Sequence, residues 1–300
     1  MPFKLARSSF LQVFTPPQMA VYAMHGIFSD GDAKAFRNRC LIQEDKFERL
    51  LSSLPFKFVS LDDAIAGRGE ALTMDDATNA AYRAAKLARE HGHAVTVFVN
   101  PYFVRFQRPY FFLELNWLLD RTSCSSIQFE GTTFPLNFLS ERKAFRIQVK
   151  DRFCMLASIE EIESTIGDIG ARLGVERDGL PGHLRTMTEL ELRMLVEAGV
   201  GIQNHGFSHT HPKALRWVQL MREITLAQEW IRDVCGQESR HFAVPFGDAL
   251  PQWRLPKERG LNWFTLHDQV RHGALGPGIW NRLRVESLLE GLNEPRRCDT

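Results

Sequence analysis

Short apolar, β-branched runs alternate along this chain with segments of helical apolar spacing, and that alternation restricts it to α/β architecture with mostly parallel strands. Strand-like runs lie at residues 21–24, 56–59, 72–74, 95–99, 241–244, 261–266 and 283–285. Helical spacing covers 44–54, about 78–90 and about 213–235. The stretch 104–182 breaks the rhythm. It holds an aromatic cluster (Phe103, Phe106, Tyr110, Phe111, Phe112, Trp117), a turn-rich part near 122–135 and a helical pattern near 159–173. It reads as an insertion between two strands, a helical lobe over the mouth of a site, whose aromatic residues serve chiefly as local core.

Thirty-seven basic against 36 acidic residues leave a net charge of +1, which argues against a nucleic-acid or membrane-surface partner. No stretch approaches the roughly 20 apolar residues that span a bilayer, and residues 1–10 lack a signal-type apolar run. Cys40, Cys124, Cys154, Cys235 and Cys298 are odd in number and widely spaced, a pattern of free thiols in a reducing compartment. The expected location is cytoplasmic.

Three places carry chemistry. The run 71–74 ends in two adjacent carboxylates, Asp75 and Asp76. Two carboxylates so close repel unless a cation or a shared proton compensates. The competing reading is that one of them caps the helix beginning near Thr78. After the apolar run 195–202 come His205 and His209, whose spacing lets two imidazoles grip one ion, with His211 as an alternative ligand. Isolated histidines at this spacing are more often satisfied core or surface groups. The strand at 241–244 stops at Pro245-Phe246-Gly247, a stiff loop whose amides can face a cleft. His91 and His93, flanking a glycine, read as solvated.

In order, Thr73-Met74-Asp75-Asp76, then His205-x-x-x-His209, then Pro245-Phe246-Gly247 resemble the motifs of the polysaccharide deacetylases with the NodB homology domain, carbohydrate esterase family four. The resemblance covers about 21–100 and 185–290. It implies a distorted (β/α) barrel of about seven strands, here a single domain over 1–300 with the lobe at 104–182 inserted. It also implies that Asp75 is the catalytic base and that Asp76, His205 and His209 bind one divalent metal. Two imidazoles and a carboxylate suit zinc best, and cobalt, nickel or iron would fit the same ligands. The family's late Leu-x-His motif is missing. Instead Tyr22-Ala23-Met24-His25 resembles the corresponding segment of circularly permuted members, which makes His25 the candidate general acid. Three positions depart from the family pattern: Ala77 for a glycine, Gly206 for a serine or threonine, and Ala243 for the arginine that orients the base. Arg240 and Arg282 are candidate substitutes.

The function so implied is hydrolysis of an N-acyl group, acetyl or formyl, from a sugar or sugar-containing precursor in glycan biosynthesis. Pro245, Phe246, Gly247 and Arg282 are then expected at the substrate and oxyanion. Two alternatives remain open at this level: hydrolysis of a non-sugar amide, and a non-catalytic sugar-binding protein.

Overall fold

The structure, a computed structural model, describes residues 20–29, 41–176, 180–247, 260–267 and 272–293. Six apolar runs form parallel strands: β1 (Val21–Met24), β2 (Ala71–Asp75), β3 (Thr96–Val99), β4 (Gly201–Asn204), β5 (His241–Ala243) and β6 (Asn262–Thr265). Each pairs with the next in that order. β1, β2 and β3 are buried along their whole length, which is why they read as continuous apolar runs and not as alternating ones.

A seventh position closes the ring, and it is split. β7 (Ile279–Asn281) pairs with β6, whereas β8 (Leu283–Arg284) pairs with β1, both parallel. Between them the Arg282 N–H donates to the Thr265 carbonyl at 2.9 Å, and the Val285 N–H donates to the Ala23 carbonyl at 3.1 Å. The chain thus crosses from one edge of the sheet to the other and leaves neither edge strand open. An antiparallel strand, Gly273–Gly276, adds to the outside of β7. The circle is a seven-position (β/α) barrel, as expected.

Local signals account for most of the joining helices. Helix Asn79–Glu90 buries an alanine stripe (Ala80, Ala81, Ala84, Ala85, Ala88), and such small residues let the barrel approach closely. At Gly26, with φ +130°, an added Cβ would lie 2.3 Å from the Ala80 carbonyl carbon, so that position admits only glycine. This close contact fixes the chain just after His25. Thr78 caps the helix, its Oγ1 accepting from the Ala81 N–H at 3.2 Å, so neither aspartate is used as a cap.

Several expectations need correction. Residues 56–59 form no strand; Phe58 is buried against Tyr22, and the Val59 N–H donates to the Glu70 carbonyl at 2.9 Å. The long helix begins at Trp217, after a short 3-10 turn at Pro212–Ala214. The turn-rich stretch holds a β-hairpin, Ser126–Phe129 with Thr132–Pro135, whose Glu130 and Gly131 both take positive φ, as a tight hairpin turn demands. His93 is fully buried, accepting the Phe58 N–H at Nδ1 and bonding the Leu51 carbonyl through Nε2. Cys124, Cys154 and Cys235 are free thiols; Cys40 and Cys298 lie outside the described residues.

Helices Pro101–Phe106, Phe111–Arg121, Leu139–Phe153 and Ile159–Leu173 pack around their own core, which includes Phe103, Phe111, Phe145, Ile162 and Ile166. Phe246 from the barrel packs against it. Most of the aromatic run is interior, with Phe103, Tyr110 and Phe111 at most 2% exposed, whereas Phe106 is half exposed.

Candidate active site

In a parallel barrel the carboxyl ends of all strands open on one face, where loops can gather side chains. His25 follows β1, Asp76 follows β2, His205 follows β4, and Pro245 to Gly247 come after β5. They meet there. Asp76 Oδ1 lies 3.5 Å from His209 Nε2 and 3.7 Å from His205 Nε2, and Asp76 Oδ2 lies 3.8 Å from His25 Nε2. Asp76, His205 and His209 each offer a ligand atom within 4.8 Å of the others, and all three are buried. His205 and His209, rather than His211, complete the group. The ring of His211 instead lies against Phe246, and its Nδ1 accepts the Lys213 N–H.

Three members of this cluster sit in strained backbone. Asp76, His209 and Phe246 adopt φ of +66°, +56° and +65°, a region that non-glycine residues rarely occupy and that collects at functional sites. Surrounding hydrogen bonds hold the strain. Tyr110, from the lobe, accepts the Ala77 N–H at 2.8 Å and donates to Asn100 Oδ1 at 3.3 Å. Asn100 Nδ2 in turn donates to the His205 and Gly206 carbonyls at 2.5 and 3.0 Å. One buried relay therefore ties the aspartate turn to the histidine loop. On the far side of that loop, Glu223 accepts from the Ser208 N–H and hydroxyl.

His205 Nδ1 lies 2.8 Å from the Ala243 carbonyl, which can only accept, so Nδ1 carries the proton and the Nε2 lone pair faces Asp76. Asp76 Oδ1 is buried and has no hydrogen-bond partner among the described residues. Burial, reinforced by the charge of Asp75, pushes the Asp76 carboxyl well above the usual range. Burial also holds His205 and His209 neutral, His209 well below the ordinary imidazole value. An unpartnered carboxylate oxygen facing two Nε2 atoms is the donor set a divalent cation requires.

Asp75 has a different environment. Burial alone would raise its pKa, but the adjacent Arg282 outweighs burial and holds the carboxyl well below the ordinary range. Arg282 grips it with two bonds, Nη1 to Oδ1 at 2.6 Å and Nη2 to Oδ2 at 2.7 Å. The guanidinium is itself fixed by the Thr73 hydroxyl (3.1 Å), the Thr265 carbonyl (3.3 Å) and the Phe98 ring. Arg282 therefore stands behind Asp75 instead of on the cavity wall where a substrate role would put it. Arg282, from the split seventh strand, stands where the arginine missing at Ala243 was expected to act, whereas Arg240 is exposed and does not line the cavity.

A cavity of about 170 Å³ lies above the cluster. Phe246 and Gly247 line it; Pro245 is buried and does not. The Gly247 N–H is already committed to the Val244 carbonyl at 3.0 Å, and proline has no N–H, so of that tripeptide only the Phe246 amide remains for an oxyanion. Sequence reasoning missed Tyr110 and Asn100, as well as the contribution of Phe111, Phe112, Arg146 and Lys150 from the lobe to the cavity wall. No local motif marks any of them.

A family model described as polysaccharide deacetylase matches residues 153–257, a stretch containing His205, His209 and Pro245 to Gly247 but not Asp75 and Asp76. No curated protein sequence matches the chain. Among solved structures, the fold is similar to a Streptococcus pyogenes deacetylase, PplD, in complex with acetate, at TM-score 0.57 and 13% identity, covering 94% of this chain and all of that one. It is also similar to IcaB from Ammonifex degensii (TM-score 0.51, 15% identity, covering 90% and 94%) and to a polysaccharide deacetylase from Bacillus cereus (0.51, 12%, covering 91% and 69%). Over residues 153–257 the chain is thus similar to the polysaccharide deacetylase model, and its barrel is similar in fold to solved deacetylases.

Proposed function

We propose that the protein is a metal-dependent hydrolase that removes an N-acyl group, acetyl or formyl, from a sugar used in glycan synthesis. The observation that carries this reading is the pairing of two adjacent carboxylates in opposite states. Asp76 is buried and unpartnered beside two imidazole Nε2 atoms, and Asp75 is ionised and clamped by Arg282. Two neighbouring titratable groups whose surroundings push their pKa values apart mark a division of labour.

Asp76, His205 and His209 would hold the cation, for which zinc suits the ligands best. When bound, it supplies a Lewis acid that polarises the acyl carbonyl and makes water more acidic. Asp75 takes a proton from the attacking water. Each of its oxygens spends one lone pair on Arg282 and keeps another for that proton. The Phe246 amide donates to the developing oxyanion, a type of interaction worth about 3 kcal/mol. His25, on the other side of Asp76, delivers a proton to the leaving nitrogen. Burial lowers its pKa to about 4, so the protonated form is scarce at neutral pH but strongly acidic.

Elemental analysis and acyl release test this together. The expected result is near-stoichiometric metal in wild type and in Asp75→Asn, loss of metal in Asp76→Ala and His209→Ala, and acetate or formate release from N-acyl sugars by wild type alone. A folded wild type that takes up no metal on reconstitution would refute the reading.

A further inference from the structure

His205 and His209 face the same point by different means. His205 is aimed through its ring, by the bond from Nδ1 to the Ala243 carbonyl. His209 is aimed through its backbone, which holds φ +56°, a region that strains a non-glycine residue. The residues on either side of it are buried hydroxyls, Ser208 and Thr210. Both are chained to one carboxylate. Glu223 Oε2, from helix Trp217–Cys235, accepts the Ser208 N–H at 2.8 Å and the Ser208 hydroxyl at 2.9 Å. With its proton committed there, Ser208 Oγ accepts the Thr210 hydroxyl at 2.7 Å. The Phe207 backbone bonds Glu223 as well. Gly206, at φ +80°, has no side chain to brace the loop from within, and a Cβ there would lie 3.7 Å from Glu223 Oε2, so the carboxylate sits against the loop. The next residue of the helix grips the loop's other end. The Ile224 carbonyl accepts from Asn204 Nδ2 at 2.8 Å, and Asn204 Oδ1 accepts the Gly206 N–H at 2.7 Å. Glu223 neither lines the cavity nor belongs to the triad, so it can serve the reaction only through this loop.

We propose that Glu223 is a positioning residue for the metal site: through Ser208 and Thr210 it holds His209 in the left-handed conformation that turns Nε2 toward Asp76. This rests on the metal-dependent deacylase reading and adds to its site a carboxylate that no local motif marks. A carboxylate suits the task because its oxygens accept while the loop offers it donors. Without it the Ser208 N–H and the two hydroxyls are left to find partners in a buried place. The simplest relief is for residue 209 to leave its strained φ, which carries the imidazole away from the ion.

Zinc titration against a chelating dye, with cobalt(II) as a spectroscopic stand-in, tests this without turnover. In Glu223→Ala the zinc Kd is expected to rise about 10- to 100-fold, the usual effect of removing an outer partner of a metal ligand. The visible spectrum of the cobalt-saturated variant should also depart from wild type, since one imidazole no longer faces the ion. A role confined to folding would lower the melting temperature and leave that spectrum unchanged. Glu223→Gln keeps an oxygen that accepts the Ser208 N–H and should return the Kd to within about 3-fold of wild type. If Glu223→Ala does not fold, Ser208→Ala takes its place: it keeps the N–H bond, cuts the hydroxyl chain, and should raise the Kd at least about 3-fold. Wild-type affinity and spectrum in Glu223→Ala, an unchanged Kd in Ser208→Ala, or equal losses in Glu223→Ala and Glu223→Gln would overturn the proposal. A wild type that binds neither metal would remove the triad and the deacylase reading with it. A wild type that binds zinc and releases acyl groups, matched by Glu223→Ala, would remove only the role of Glu223.

Discussion

Replacing Arg282 with methionine keeps most of the side-chain volume but removes the cation bonded to both oxygens of Asp75, leaving a carboxylate that is 3% exposed without that partner. Breaking a buried, hydrogen-bonded ion pair by deleting one member costs about 3–5 kcal/mol, a large share of the roughly 5–15 kcal/mol that stabilises a domain. At this chain length that is a drop in Tm on the order of 10 °C. Much of the cost is the stranded charge. Asp75→Asn in the same background should therefore restore stability by about 1–3 kcal/mol, and the double variant should be more stable than Arg282→Met alone. Arg282→Lys makes a sharper functional test, because an ammonium cannot hold both oxygens in one plane. It should fold and bind metal normally, yet lose about 10- to 100-fold in kcat as Asp75 loses its fixed orientation. Urea denaturation of the metal-loaded single and double variants, with acyl release by Arg282→Lys, covers both arms. Wild-type stability in Arg282→Met, or wild-type kcat in Arg282→Lys, would refute the assignment of Arg282 as the residue that charges and orients Asp75.

Other consequences follow from the same geometry. Tyr110→Phe removes the acceptor of the Ala77 N–H and the donor to Asn100, and should cost about 1–3 kcal/mol and weaken metal binding, read by competition with a chelating dye. Gly26→Ala places a Cβ inside the helix backbone at a positive φ and should strongly reduce soluble, folded protein, measured by circular dichroism and thermal melting. In the metal-free protein, the His25 pKa falls from 6.5 unfolded to about 4 folded, so the unfolded chain binds more protons between those values. Stability is full above pH 6.5 and is lost as pH falls towards 4; at about 1.4 kcal/mol per unit this group contributes about 3 kcal/mol. His25→Gln should flatten that part of the stability–pH curve, and an unchanged slope would count against the burial of His25.

Much of the site was legible because it is local. Asp75, Asp76, His205 and His209 stand at or just beyond the ends of buried strands, and a strand's hydrophobic run together with the residues that stop it can be read within a dozen positions. The barrel was legible for the same reason, since parallel strands buried on both faces leave continuous apolar runs. What tertiary structure alone decided is non-local. Arg282 meets Asp75 across 207 residues, because the seventh strand changes partners at that point, and nothing near Arg282 in the chain marks the change. The burial of His93, the choice of Thr78 over the aspartates as cap, and the Tyr110–Asn100 relay also depend on which surfaces meet. A single sequence records the period of each element and its local stops, because those are short-range preferences of the backbone. Which charge finds which partner is decided only when packing brings distant segments into a low-dielectric interior, where an unpaired ion is too costly to keep.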